Sequence, residues 1–237
     1  YHYTELLGTP GLNLGDCEAF TETTNEFAKA FPEKGLEDFV MISRFSSGRF
    51  GMLTIDKPIT KASDLQGLSV RATPNFIPWW DAMGASGTMI PMTDIYESFK
   101  LSVINGAQFS IYGIDTFKLY EVANYFTPLT MLGGDQIIVM SRPLYDSMPA
   151  DLQAVIDEVA EEMVPICVNY VKTAEQEAAD NILKGNPNFV FVDPNDVESQ
   201  GFIDAATPLL EAKAKELDDK GLKGSEALEW LKGRAVK

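Results

Sequence analysis

Five arginines, one histidine and two cysteines are the scarce reactive side chains of this 237-residue sequence. The single histidine is His2, at the very start of the chain, where little backbone is available to anchor an imidazole in a pocket. Cys17 and Cys167 lie far apart and match neither a C-x-x-C redox pair nor the clustered spacing of a metal site, so two buried thiols or one disulfide are the readings open to them. No G-x-x-x-x-G-K-[ST], H-E-x-x-H or G-x-S-x-G pattern occurs. Glu158, Glu161 and Glu162 fall on the polar face of a long helical stretch and read as solvating charge rather than as an acid–base pair. The arginines, Arg44, Arg49, Arg71, Arg142 and Arg234, therefore hold most of the chemical interest. Arg71 follows Asp64-Leu-Gln-Gly-Leu-Ser-Val70 and so projects from the end of a strand into the loop Ala72-Thr-Pro-Asn75 that opens a helix. A planar guanidinium there suits a carboxylate, because two parallel charge-assisted hydrogen bonds fix both place and orientation. The competing reading is a structural ion pair with one of the many acids.

These residues need elements to position them. Phe20, Phe27, Ala28 and Phe31 recur at helical spacing between Asp16 and Pro32. Strands are expected at 39–43, 51–55 and 68–72, then a helix over 75–83, a strand over 89–92 and a helix from Thr93 to about Ile104. A strand over 107–112, a helix over 114–120 and a buried strand over 136–141 follow. From Pro143 to about Lys184 one apolar stripe predicts a single long helix, mildly kinked at Pro165. A strand over 189–193 and amphipathic helices over 196–217 and 225–233 complete the chain. Alternating strands and helices predict an α/β fold with largely parallel sheets, whose ligand crevice lies at the carboxyl ends of the strands.

With 45% hydrophobic residues the chain can build a sizeable core, and a net charge of −16 argues against nucleic-acid or anionic-membrane surfaces. No run approaches the roughly 18 apolar residues of a membrane span. The first residues lack the basic start and apolar stretch of a signal peptide, which leaves a processed or truncated chain open.

Several short motifs come in a shared order: Asp64-Leu-x-Gly-Leu-x-Val-Arg71, Gly84-Ala85, Pro91-Met92 with Asp94-Ile-Tyr96, Asn105-Gly106, Lys118-Leu-Tyr-Glu-Val122, the strand Gln136 to Ser141, and Pro149-Ala-Asp-Leu-Gln153. Each is weak alone. Together they resemble the extracytoplasmic solute receptors of TRAP transporters, the DctP type. The resemblance implies a periplasmic-binding-protein-like fold: two α/β lobes, a hinge and a long lobe-spanning helix. It implies one lobe built from parts of 1–55 and 142–237 and a second from 56–141 with hinge strands at its ends. It further implies a periplasmic, non-enzymatic protein without cofactor or metal, which captures an organic acid and delivers it to a TRAP membrane permease.

In that family an arginine at the position of Arg71 makes a bidentate salt bridge to the ligand carboxylate, and Arg49 is the nearest match to a second pocket arginine. Where the family commonly reads V-D-G-x-E-N-P, this chain has Ile104-Asn-Gly-Ala-Gln-Phe-Ser110. Phe109 thus replaces an amide, which is expected to shift preference from polyhydroxy acids toward aromatic or apolar-bodied ones. Met92 matches another pocket position. Trp79, from the pair Trp79-Trp80, is read either as a selector of the ligand body or as ordinary core. Asn75, Tyr112, Asp135 and Gln136 are crevice candidates by position. Receptors of this type ordinarily carry roughly 80 further residues ahead of the point matching Tyr1, so a fragment is one expectation. A ligand sensor coupled to a signalling partner is the alternative reading, and an α/β enzyme a more distant one.

Overall fold

The computed structural model describes residues 2–130 and 132–236. Its main sheet has six strands: β2 (Phe50–Thr54), β3 (Ser69–Arg71), β4 (Ser86–Thr88), β5 (Gly106–Ser110), β6 (Tyr125–Pro128) and β8 (Val190–Phe191), in the order β4-β3-β5-β2-β6-β8. β3 runs parallel to both β4 and β5, and β6 parallel to β8. β2 is antiparallel to both its neighbours, so the sheet is mixed where a largely parallel one was expected. Residues alternate across it as the pleat requires. Met52 and Val70 face a core with Trp79, Trp80 and Phe202, while Leu53, Ala107, Phe109 and Phe126 face Ile95, Phe99, Ile114 and Ile182.

A second sheet is an antiparallel ribbon of β1 (Phe39–Ser46) and β7 (Asp135–Ser141), irregular between Met41 and Ser43. Two crossings link it to the main sheet, β1 to β2 through Ser47-Gly48-Arg49 and β6 to β7 through the stretch ending in Gly133-Gly134. They run side by side, with the Ser47 N–H donating to the Gly134 carbonyl at 2.7 Å. The boundary read at residue 55 therefore separates β2 from the strands it pairs with, and β7 pairs outside the 56–141 segment. The long helix, α7 (Ala150–Gly185), packs on β1 of the ribbon and on α5 (Ile111–Thr116), and its Ala178 and Ile182 join the core on one face of the main sheet. A third core cluster joins α1 (Tyr3–Leu7), α2 (Cys17–Ala30), α8 (Gln200–Asp219) and α9 (Gly224–Lys232). None of the described helices is long and apolar enough to cross a membrane.

Several elements differ from expectation for physical reasons. The strand read at 89–92 forms instead at 86–88, because Ser86, Gly87 and Thr88 pair with Ser69, Val70 and Arg71, leaving Met89-Ile-Pro91 as a loop and Met92 at the start of a 3-10 turn. β6, ending in Pro128, is short enough to escape a periodicity reading. β7 is present but not buried, since a two-stranded ribbon covers neither face fully and Ile137 and Ile138 stay partly exposed. The long helix begins after Pro149, and Arg142–Asp146 form a separate short turn of helix, α6. α5 begins at Ile111, directly after β5, because the Ser110 hydroxyl caps it by accepting from the Gly113 N–H.

Asp16 caps α2 by accepting from the Glu18 and Ala19 N–H groups. Asp16→Ala is expected to cost about 1 kcal/mol of stability, read by urea unfolding, because two first-turn donors lose their acceptor. A change below about 0.3 kcal/mol would mean that water caps this helix as well as Asp16 does.

Candidate ligand-binding site

The carboxyl ends of the parallel strands β4, β3 and β5 open on one side of the main sheet, and the loops that leave them carry the exposed polar and apolar side chains of interest. Arg71 closes β3 opposite Ala107. Its Nε–H donates to the Ile90 carbonyl at 3.2 Å, in the loop after β4, and Nη2 lies 3.5 Å from the Met92 sulfur. The guanidinium carbon stands 5.9 Å from the centre of the Phe109 ring. Burial pushes the Arg71 guanidinium below its ordinary value.

The company kept by the other arginines decides how to read this one. Arg44 pairs with Asp135, Nε to Oδ1 at 3.0 Å and Nη2 to Oδ2, with both side chains buried. Arg49 is tied to Glu175 of α7, its Nε donating to Oε2 at 3.0 Å and its main-chain N–H donating to Oε1. Arg234 reaches Glu26. Arg142 donates to the carbonyls of Glu37 and Phe39. No carboxylate lies within 4.0 Å of Arg71 among the described residues, so the competing reading of Arg71 as a structural ion pair has no partner to support it. A half-buried guanidinium held only by neutral groups carries an uncompensated charge, and it offers its remaining Nη–H donors to an anion.

Met92 and Phe109 are thus brought to Arg71, but in different ways. Met92 is 44% exposed and can meet a ligand, whereas Phe109 is only 3% exposed and packs edge-on against Phe117 at 6.0 Å. Tyr112, 42% exposed on the first turn of α5, lines a cleft of about 680 Å³ between α5, α7 and the ribbon. Gln136 faces the same cleft from β7, with Met163, Ile166 and Tyr170 supplying an apolar wall.

The remaining candidates have other partners or other surroundings. Trp79 is fully buried, its indole N–H donating to the Phe202 carbonyl at 2.9 Å and its ring 4.4 Å from that of Trp80. Both tryptophans serve the core, because the six-residue helix α3 (Ile77–Ala82) is covered by α8 on the side from which they project. Asp135 is consumed by Arg44; burial pushes its carboxyl up while the guanidinium opposes the shift. Asn75 is exposed in the loop after β3 but faces a separate groove with Thr9 and Lys213. Arg49 lies at the crossing between the sheets, where Gly48 adopts φ +94° and any Cβ would come within 2.6 Å of Glu175 Oε1. Glu175 is a buried carboxylate that sequence reasoning passed over, because in the helical pattern it resembles the solvated acids around it. The Ile90 carbonyl was invisible to a reading of side chains; the only trace of it was the apolar run 89–92, mistaken for a strand. The two cysteines are free and buried. Among the described residues no group of three or more His, Cys, Asp or Glu side chains could hold a metal.

Residues 18–216 match the family of bacterial extracellular solute-binding proteins, family 7, known as DctP. The chain belongs to this family. Two relatives illustrate its distance from similar proteins. The ectoine-binding periplasmic protein TeaA of Halomonas elongata is 24% identical over 208 residues, 87% of this chain and 59% of TeaA. A solute-binding protein of Chromohalobacter salexigens is 29% identical over 143 residues, 60% of this chain and 42% of that protein. The chain therefore spans about half the length of these relatives. Among solved structures, a TRAP solute-binding protein from Sulfitobacter sp. with bound β-D-galacturonate superposes with a TM-score of 0.83 at 19% identity, covering 98% of this chain and 75% of that one. One from Rhodoferax ferrireducens in complex with benzoate gives 0.81 at 17%, covering 99% and 74%. At these identities the likeness is one of fold, the α/β periplasmic-binding architecture expected for family 7.

Proposed function

We propose that this family 7 chain forms the carboxylate-recognising part of an extracytoplasmic receptor. It binds an organic acid through Arg71 and hands it to a TRAP membrane permease, without carrying out a reaction on it. The observation that carries this reading is the Arg71 guanidinium: oriented by Ile90, unpaired with any described acid, and placed at the carboxyl end of the strands. The reading favours an aromatic or apolar-bodied acid. Met92 offers a thioether to the ligand body, and position 109 beside Arg71 carries a ring with no amide for hydroxyl groups. Two proteins of the same fold crystallised with galacturonate and with benzoate both hold carboxylates, which agrees with a guanidinium receptor.

A thermal-shift screen of aromatic and aliphatic acids, each beside its neutral amide or alcohol, tests the proposal. Ligand that binds only the folded state raises the melting temperature by mass action. A rise with acids and none with their neutral partners is expected, largest for aromatic acids. Equal rises for an acid and its amide would remove the carboxylate from the account.

A further inference from the structure

Arg71 is the arginine of this chain that is both half-buried and without a described acid, yet its side chain is not loose. Three neutral groups surround it. The Ile90 carbonyl accepts its Nε–H, the Met92 sulfur lies beside Nη2, and the Phe109 ring lies 5.9 Å from its guanidinium carbon. The ring is itself immobilised. It is nearly inaccessible to solvent, its partner Phe117 meets it at 86°, and α5 passes so close that a Cβ at Gly113 would come within 2.6 Å of its Cε1. A ring held in that way has no face to spare for a ligand, but it lies within the roughly 6 Å over which an aromatic quadrupole attracts a cation.

We propose that Phe109 is a positioning residue for ligand capture, a neutral platform that fixes the Arg71 guanidinium without cancelling its charge, so that the acid is met end-on by the two Nη groups. This rests on the reading of Arg71 given above. An aspartate or glutamate would orient the guanidinium as firmly, as Asp135 does for Arg44 and Glu175 for Arg49, but it would compete with the incoming carboxylate. A ring and a carbonyl hold the fork and leave it charged. Because Nε–H is already given to Ile90, the fork left for a carboxylate is the Nη1/Nη2 edge. Phe109 therefore acts on acids through Arg71, and it contributes to their affinity without touching them.

Two readouts on the full-length protein test this. With only five arginines, the Nε–H signals resolve in a nitrogen–proton correlation spectrum, and loss of one in Arg71→Lys assigns it. The Arg71 signal is expected to be displaced by the Phe109 ring current, to return toward the position of an exposed arginine in Phe109→Leu, and to stay displaced in Phe109→Tyr. An Arg71 signal already at the exposed position in the wild-type protein would overturn the platform, and that outcome needs only the assigning Arg71→Lys variant and no Phe109 variant to fold. In calorimetry with benzoate as probe, Phe109→Leu is expected to weaken binding about tenfold, with Phe109→Tyr within about twofold of wild type. In the Arg71→Lys background Phe109→Leu is expected to add less than about a further twofold, since it acts through the guanidinium. A full additional loss in that background would mean that Phe109 touches the ligand directly and would overturn the proposal. Absence of benzoate binding in the wild type would count against the carboxylate reading, while the spectrum would still decide the platform.

Discussion

Replacing Arg71 with alanine is expected to weaken binding of the protein's acid ligand by at least about 100-fold, or roughly 3 kcal/mol, with little change in thermal stability. The loss is large because a carboxylate entering this crevice gives up water and, in the variant, finds no charged partner in return. Stability is spared because Arg71 makes no ion pair with the described residues and gives up only its bond to the Ile90 carbonyl and its contacts with Met92 and Phe109. Arg71→Lys is expected to fall between the two: the charge remains, but the planar fork that holds both carboxylate oxygens is lost. Titration calorimetry of the three proteins checks the order. An alanine variant with the wild-type dissociation constant would take Arg71 out of the site.

The second large effect is on stability. Asp135→Ala is expected to cost about 3–5 kcal/mol, read by urea unfolding, because it strands the Arg44 guanidinium inside the ribbon. Both side chains are buried, and their two hydrogen bonds tie β1 to β7 next to the crossing into the main sheet. The main chain at Arg44 is held as well, its carbonyl accepting from the Asn25 side chain at 2.8 Å, so the guanidinium cannot easily swing out to water. The same argument predicts that the double variant Arg44→Met/Asp135→Leu recovers most of the loss, since replacing both charges removes the desolvation cost together with the attraction. A single variant as stable as the wild type would show that water reaches Arg44.

How much of this could be read before the fold was known depended on what kind of information each feature carries. Arg71 was legible because a strand ending in arginine ahead of a Thr-Pro-Asn loop places the side chain at a crevice by strand geometry alone. The long helix was legible from one apolar stripe extending well beyond a usual helix length, although its start was blurred by Pro143 and Pro149. The strand 136–141 was legible as a strand but misjudged in burial. A run apolar on both faces signals a central strand only where layers cover both sides, and a ribbon of two strands has no such cover. For Trp79, Phe109 and Asp135 the sequence left the side chain's direction open. Each lies near the crevice in sequence, but orientation comes from tertiary packing: α8 draws Trp79 inward, Phe117 and α5 cover Phe109, and Arg44 claims Asp135. Residue type and spacing state what a side chain can do, and only packing states which neighbours it does it with.

The most direct test of the central claim is a crystal structure of the intact protein with benzoate, or with whichever acid gives the largest thermal shift. The account predicts both carboxylate oxygens within about 3 Å of the Arg71 Nη atoms, with Nε still donating to the Ile90 carbonyl and the ligand body against Met92. A carboxylate bound elsewhere, with Arg71 turned to an acidic side chain of the protein, would contradict it.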